Sequence, residues 1–107
     1  MTFYIKQNDT VPSIRATLQN GNGDPVDLIN ASVRFHMRAI GANNTKVDAA
    51  AVVVSAAAGL VQYNWIAADT DTIGSYQAEF EVTYPDSTVE TFPNDGYVRI
   101  EIIDDIT

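Results

Sequence analysis

One histidine and no cysteine bound the chemistry open to this chain. His36 is the only imidazole in 107 residues, so any Ser/His/Asp or Cys/His mechanism has to pass through it. It stands between Arg34 and Arg38 at strand-like spacing rather than on a loop beside a nucleophile, and a surface strand histidine is the expectation. The lack of cysteine removes disulfides, thiol nucleophiles and thiolate metal sites. One imidazole supplies one ligand where zinc takes three or four. Asp69 with Asp71, or Asp24 with Asp27, could offer oxygens to calcium. Neither pair belongs to the spaced acidic run of a dedicated calcium loop, so turn carboxylates that bond their own backbone are the preferred reading.

Fourteen acidic residues would allow a glycosidase-like pair, but spacing shows no two of them facing across a cleft, and a chain this small offers little cleft. NGNGDP, at 20–25, precedes neither a lysine nor a helix and is no phosphate cradle. No catalytic residue, cofactor or metal is expected, and the protein is read as a non-enzyme.

Six basic against fourteen acidic residues leave a net charge of -8 and a pI near 4.2. Tracking the phosphates of nucleic acid is disfavoured, and so is an anionic membrane surface. The acids are scattered through turns and alternate strand positions, which argues against a DNA mimic. Arg34, His36 and Arg38 form the densest positive stripe. They are a docking patch for an acidic partner or, preferably, partners of Gln77, Glu79 and Glu81 on a neighbouring strand. The N-terminus MTFYIKQNDT has no basic stretch followed by an apolar run, and no stretch nears the roughly 20 apolar residues of a membrane span. A soluble chain without a signal peptide is expected.

The elements that position these residues read as strands. Eleven Val, ten Ile and ten Thr stand against three Leu, a balance that suits pleated strands. Ser13 to Leu18 turns Ile14, Ala16 and Leu18 inward, and residues 20–25 form a loop. Ala31 to Arg38 places Val33, Phe35 and Met37 on one face. Periodicity is lost from Ala49 to Ala58, where an irregular strand is favoured over a helix because Val52, Val53 and Val54 are consecutive and no cap is evident. Val61, Tyr63 and Trp65 alternate after Gly59. Ser75 to Tyr84 is the longest strand, with Tyr76, Ala78, Phe80, Val82 and Tyr84 inward, and Pro85 to Ser87 turn into Thr88 to Phe92. Val98, Ile100 and Ile102 close the chain.

With Thr2 to Ile5, these make about eight strands (a range of about 7 to 9), which predicts an immunoglobulin-like antiparallel β-sandwich, one domain over residues 1–107. Asp71, Gly74, Tyr76 and Ala78 resemble the approach to a central strand in which a tyrosine bonds back to the backbone. Ala78 takes the cysteine position, and the spacing from Asp71 to Tyr76 is one residue longer than usual. The core set is Val33, Phe35, Trp65, Tyr76, Phe80 and Ile100.

The order of segments then carries a resemblance. Asp9, Thr10 and Pro12 open a strand. A Gly-rich turn, the Pro25 to Leu28 segment, a strand ending in Met37 and Arg38, Gly59 to Tyr63, Gly74 to Glu79, and Thr91, Phe92 and Pro93 follow. The series is similar to the N-terminal domain of phage baseplate upper proteins and related tailed-phage structural proteins, and it covers nearly the whole chain. Asn8 stands where glycine would precede Asp-Thr, and Asp86-Ser87 replaces an Asp-Gly turn.

The resemblance implies an immunoglobulin-like component of the virion, in the tail, baseplate, neck or capsid surface. It would be made in the host cytoplasm and act by contact with other virion structural proteins, as a homo-oligomer in the particle. Ending at Thr107, the chain is expected to lack the receptor-binding or trimerising parts that usually follow this domain. Met1 to Ile5 and Ile102 to Thr107 are the segments put forward for contact, unless they complete the domain's own sheets. Phe3, Tyr4, Arg34, His36, Arg38, Tyr97 and Ile106 are the interface side chains. The alternative is a carbohydrate-binding or host-surface module using Tyr4, Tyr97 and Phe92, the aromatics least committed to the core.

Overall fold

A computed structural model describes residues 2–106. Nine strands follow in order: β1 (Thr2–Lys6), β2 (Ile14–Thr17), β3 (Ser32–Ala39), β4 (Val47–Ala50), β5 (Val52–Ser55), β6 (Leu60–Tyr63), β7 (Gly74–Thr83), β8 (Val89–Phe92) and β9 (Val98–Ile103), with one 3₁₀ turn at Ala67–Thr70. Six strands form one sheet, in the order β1-β9-β7-β3-β4, with β8 also on β7. The other three form a second sheet, β2-β6-β5. The sheets pack face to face as an immunoglobulin-like β-sandwich, because each strand presents every second side chain inward.

The core is aromatic at its centre. Phe35 of β3 stacks on Tyr63 of β6 with centroids 4.5 Å apart, meets the edge of Trp65 at 5.5 Å and lies 5.2 Å from Phe80 of β7. Val33, Tyr76 and Ile100 are buried around it. Burying a side chain of Phe35's size contributes on the order of 2 kcal/mol, so this cluster is the main tie between the sheets.

The Ala/Val tract is two strands rather than one irregular one. Val47 and Ala49 face inward on β4 against β3, the chain crosses between sheets at Ala51, and β5 joins β6 with a bulge between Val53 and Ser55. Alternation fails there because the reference face changes at the crossing. A second departure concerns strand direction. β1 pairs with β9 in parallel, Thr2 opposite Arg99 and Lys6 opposite Ile103, whereas the other ladders are antiparallel. No short turn links the first and last strands, so nothing forces them to oppose.

Tyr76 makes the expected corner: its hydroxyl donates to the Thr72 carbonyl at 2.6 Å, and Ala78 is buried beside it. The two positions that depart from the resembling pattern, Asn8 (φ 68) and Ser87 (φ 72), both lie in the left-handed region that glycine favours. Gly59, at φ +64, is required outright, since a Cβ there would come within 2.7 Å of the Leu18 carbonyl oxygen. That close approach lets Leu18 N–H donate to the Gly59 carbonyl at 2.8 Å and ties the 18–28 loop to β6.

Candidate interaction surfaces

The positive stripe lies on the outer face of the large sheet. β3 and β7 are neighbours, with Arg34 opposite Glu81, His36 opposite Glu79 and Arg38 opposite Gln77. The charges, however, are met mainly from the other side. Asp48 of β4 accepts from Arg34 Nε at 2.9 Å and lies 3.2 Å from His36 Nε2, while Glu79 is 3.8 Å from His36 Nδ1. The hydrogen bond from Arg34 holds the Asp48 carboxyl below its ordinary range. Asp48 is the one charged residue in the stretch from Val47 to Ala58. A lone acid set against period-two cations is the signal that could have found it.

Arg38 has a different partner. Its guanidinium lies 5.6 Å from the Tyr97 ring centroid and donates to the Tyr97 hydroxyl at 3.4 Å. A cleft of about 170 Å³ opens beside this pair, walled by Asn43, Thr45, Gln77 and Glu79.

Three of the four carboxylates in the two loop pairs, Asp27, Asp69 and Asp71, are committed to the fold. Asp69 is buried and accepts from the Tyr63 hydroxyl at 2.6 Å and from Ile66 N–H at 3.0 Å, so it is not the solvated carboxylate the sequence suggests. Burial, followed by this bond, pushes the Tyr63 phenol well above its usual value. Asp71 accepts from Lys46 at 2.6 Å, and that bond lowers its pKa. Asp27 follows the turn pattern, accepting from Ile29 N–H at 3.0 Å.

The strand edges form the second surface. Alternation along β1 turns Phe3 and Ile5 inward, with Phe3 5.9 Å from Trp65, so of the two adjacent aromatics only Tyr4 lies outside, at 62% exposure. Val11 and Ile103 are exposed beside it, and Ile106, beyond β9, is 97% exposed. Thr2–Ile5 and Ile102–Ile103 complete the large sheet. Met1 and Thr107 lie outside the described residues. Phe92 is a correction: at the end of β8, opposite Phe80, it is 3% exposed and offers no surface to a sugar.

Among the described residues β1 has no neighbour on its outer side. Its five residues keep one regular register, with neither proline nor bulge, and its only charge is Lys6 at the end. The other border strands carry a charge within them, Arg15 in β2, Asp48 in β4 and Glu90 in β8, or a bulge in β5. Such devices keep an edge from recruiting another strand, and in β1 the one present, Lys6, stands at the end of the strand and leaves Thr2–Ile5 without a charge.

A two-sheet immunoglobulin-like sandwich in which β1 is a border strand among the described residues defines a class of β module that hosts many functions. Sequence comparison is more specific. Residues 2–93 match the family model described as the BppU N-terminal domain, the N-terminal domain of the baseplate upper protein, and the chain belongs to that family. No curated protein matches the chain. The family is a structural one of the phage baseplate.

Proposed function

We propose that this chain is a non-enzymatic assembly module of a tailed-phage virion. In this reading it joins other structural proteins, or further copies of itself, through the open edge of β1. The bare backbone row of β1 carries the proposal. An added strand would extend the large sheet with main-chain hydrogen bonds while Tyr4, Val11 and Ile103 supply apolar contact. Repetition of the contact around a symmetric particle would multiply a weak pairing. Family membership favours the baseplate or tail over the neck or capsid surface.

The test uses purified particles treated with an amine-reactive cross-linker. The expected result is the chain present in particles, with Lys6, at the end of β1, linked to another virion protein or to a second copy. Particles without the chain would overturn the assembly role. Cross-links confined to Lys46, on the connection before β4, would overturn the choice of edge.

A further inference from the structure

The cleft beside Arg38 and Tyr97 has a chemistry that strand addition at β1 does not use. Its floor is the β3–β7 ladder, where Arg38 stands opposite Gln77 and His36 opposite Glu79. Asn43 and Thr45, on the connection from β3 to β4, rise on one side, and Tyr97, just before β9, on the other.

The lining selects a ligand by elimination. Glu79 is the one carboxylate in it and lies 3.8 Å from His36 Nδ1, whereas a hard cation needs six or more oxygens. A net charge of -8 with Glu79 at the site weighs against an anion. The ring of Tyr97, 48% exposed, is the main apolar surface, too little for a hydrocarbon. A neutral, hydroxyl-rich molecule remains.

The donors and acceptors are unspent. Among the described residues the side chains of Asn43, Thr45 and Gln77 have no hydrogen-bond partner. Arg38 is anchored by Tyr97, leaving most of its five N–H donors outward. Planar amide and guanidinium groups pair with adjacent hydroxyls, and the tyrosine ring offers a flat face to C–H groups. The volume of about 170 Å³ is below the range of about 300–1,000 Å³ typical of drug-sized ligands, so it suits one ring.

We infer that this cleft binds a single neutral sugar ring of a glycan, with hydroxyls held by Arg38, Gln77 and Asn43 and the ring's apolar face against Tyr97. A site this shallow binds in the millimolar range. The inference does not depend on the β1 proposal.

The experiment is nitrogen–proton correlation NMR of the full chain. It is titrated in parallel with methyl α-glucoside, methyl α-galactoside, methyl α-rhamnoside and glucuronate. At least one neutral glycoside is expected to give saturable shifts confined to the segments around His36, Thr45, Gln77 and Tyr97. Tyr97→Ala and Gln77→Ala should each weaken it about tenfold or more, while Tyr4→Ala leaves it unchanged. Both sites lie on the outer face, and two variants guard against one failing to fold. No saturable shift with any neutral glycoside, shifts that map elsewhere, or binding of glucuronate alone would overturn the inference. None of these results would bear on assembly through β1.

Discussion

Replacing Tyr76 by phenylalanine would remove a single oxygen from a buried side chain and leave the Thr72 carbonyl without its donor at 2.6 Å. The expected loss is about 1 kcal/mol, read as a lower urea midpoint with an unchanged denaturant slope. The titrating residues predict both limbs of the pH profile. Asp71, Asp86 and Glu101 are held below their ordinary values chiefly by hydrogen bonds from Lys46, Thr88 and Ser75, as Asp48 is by Arg34. Below the model-peptide values of 3.8 and 4.5, the unfolded chain takes up protons first. Stability is therefore complete above that range and falls as the pH drops through it. Burial raises Tyr76, and raises Tyr84 to about 12 with help from Glu90, both from 10.0. That contribution is complete below pH 10.0 and is lost as the pH rises towards the folded values. Urea midpoints across the two limbs check both signs. Tyr76, Phe80 and Val33 were legible because strict alternation surrounds them. Phe92 was not, because it ends a four-residue strand next to a proline, where the pattern is too short to fix a face.

The turns carry predictions of a different kind. Ser87 holds a left-handed backbone between Asp86, whose carboxylate accepts from Thr88 N–H at 3.0 Å, and β8. A serine in that conformation costs roughly 1–2 kcal/mol, partly offset by glycine's larger freedom when unfolded. Ser87→Gly should therefore raise stability by about 0.5–1 kcal/mol, measured by thermal unfolding. Asn8→Gly should change little, since asparagine tolerates the same region. Gly59→Ala should destabilise by at least about 1–3 kcal/mol, because the new methyl meets the Leu18 and Val26 carbonyls at 2.7 and 2.9 Å. The long strands β3 and β7 could be read directly from period two. The split of 47–55 into β4 and β5 could not, since alanine and valine suit either face and nothing in the tract marks where the chain changes sheets.

Across the whole molecule, the sandwich was visible in composition and in the spacing of turns, and the β3–β7 pairing in the opposed charges of its outer faces, but the other long-range pairing partners were not. Hydrophobic alternation fixes which side of a strand is buried and says nothing of which strand lies beside it, so the β1–β9 ladder had no local signature. The same limit explains why Asp48 was missed as the centre of the positive stripe. Tyr4→Glu places a charge on the exposed face of β1, next to its open edge, without touching the core. It should leave the unfolding free energy within about 0.5 kcal/mol. Incorporation into particles, scored by quantitative immunoblot, should nevertheless fall severalfold, and normal incorporation would count against the β1 edge.

The parallel ladder has a mechanical consequence. Thr2 sits beside Arg99 and Ile103 beside Lys6, so the chain enters this border at one end and leaves it at the other. Tension applied through the two ends would load the ladder in shear along the strands, engaging its hydrogen bonds together rather than unzipping them singly. A domain wired this way resists being stretched from its two ends.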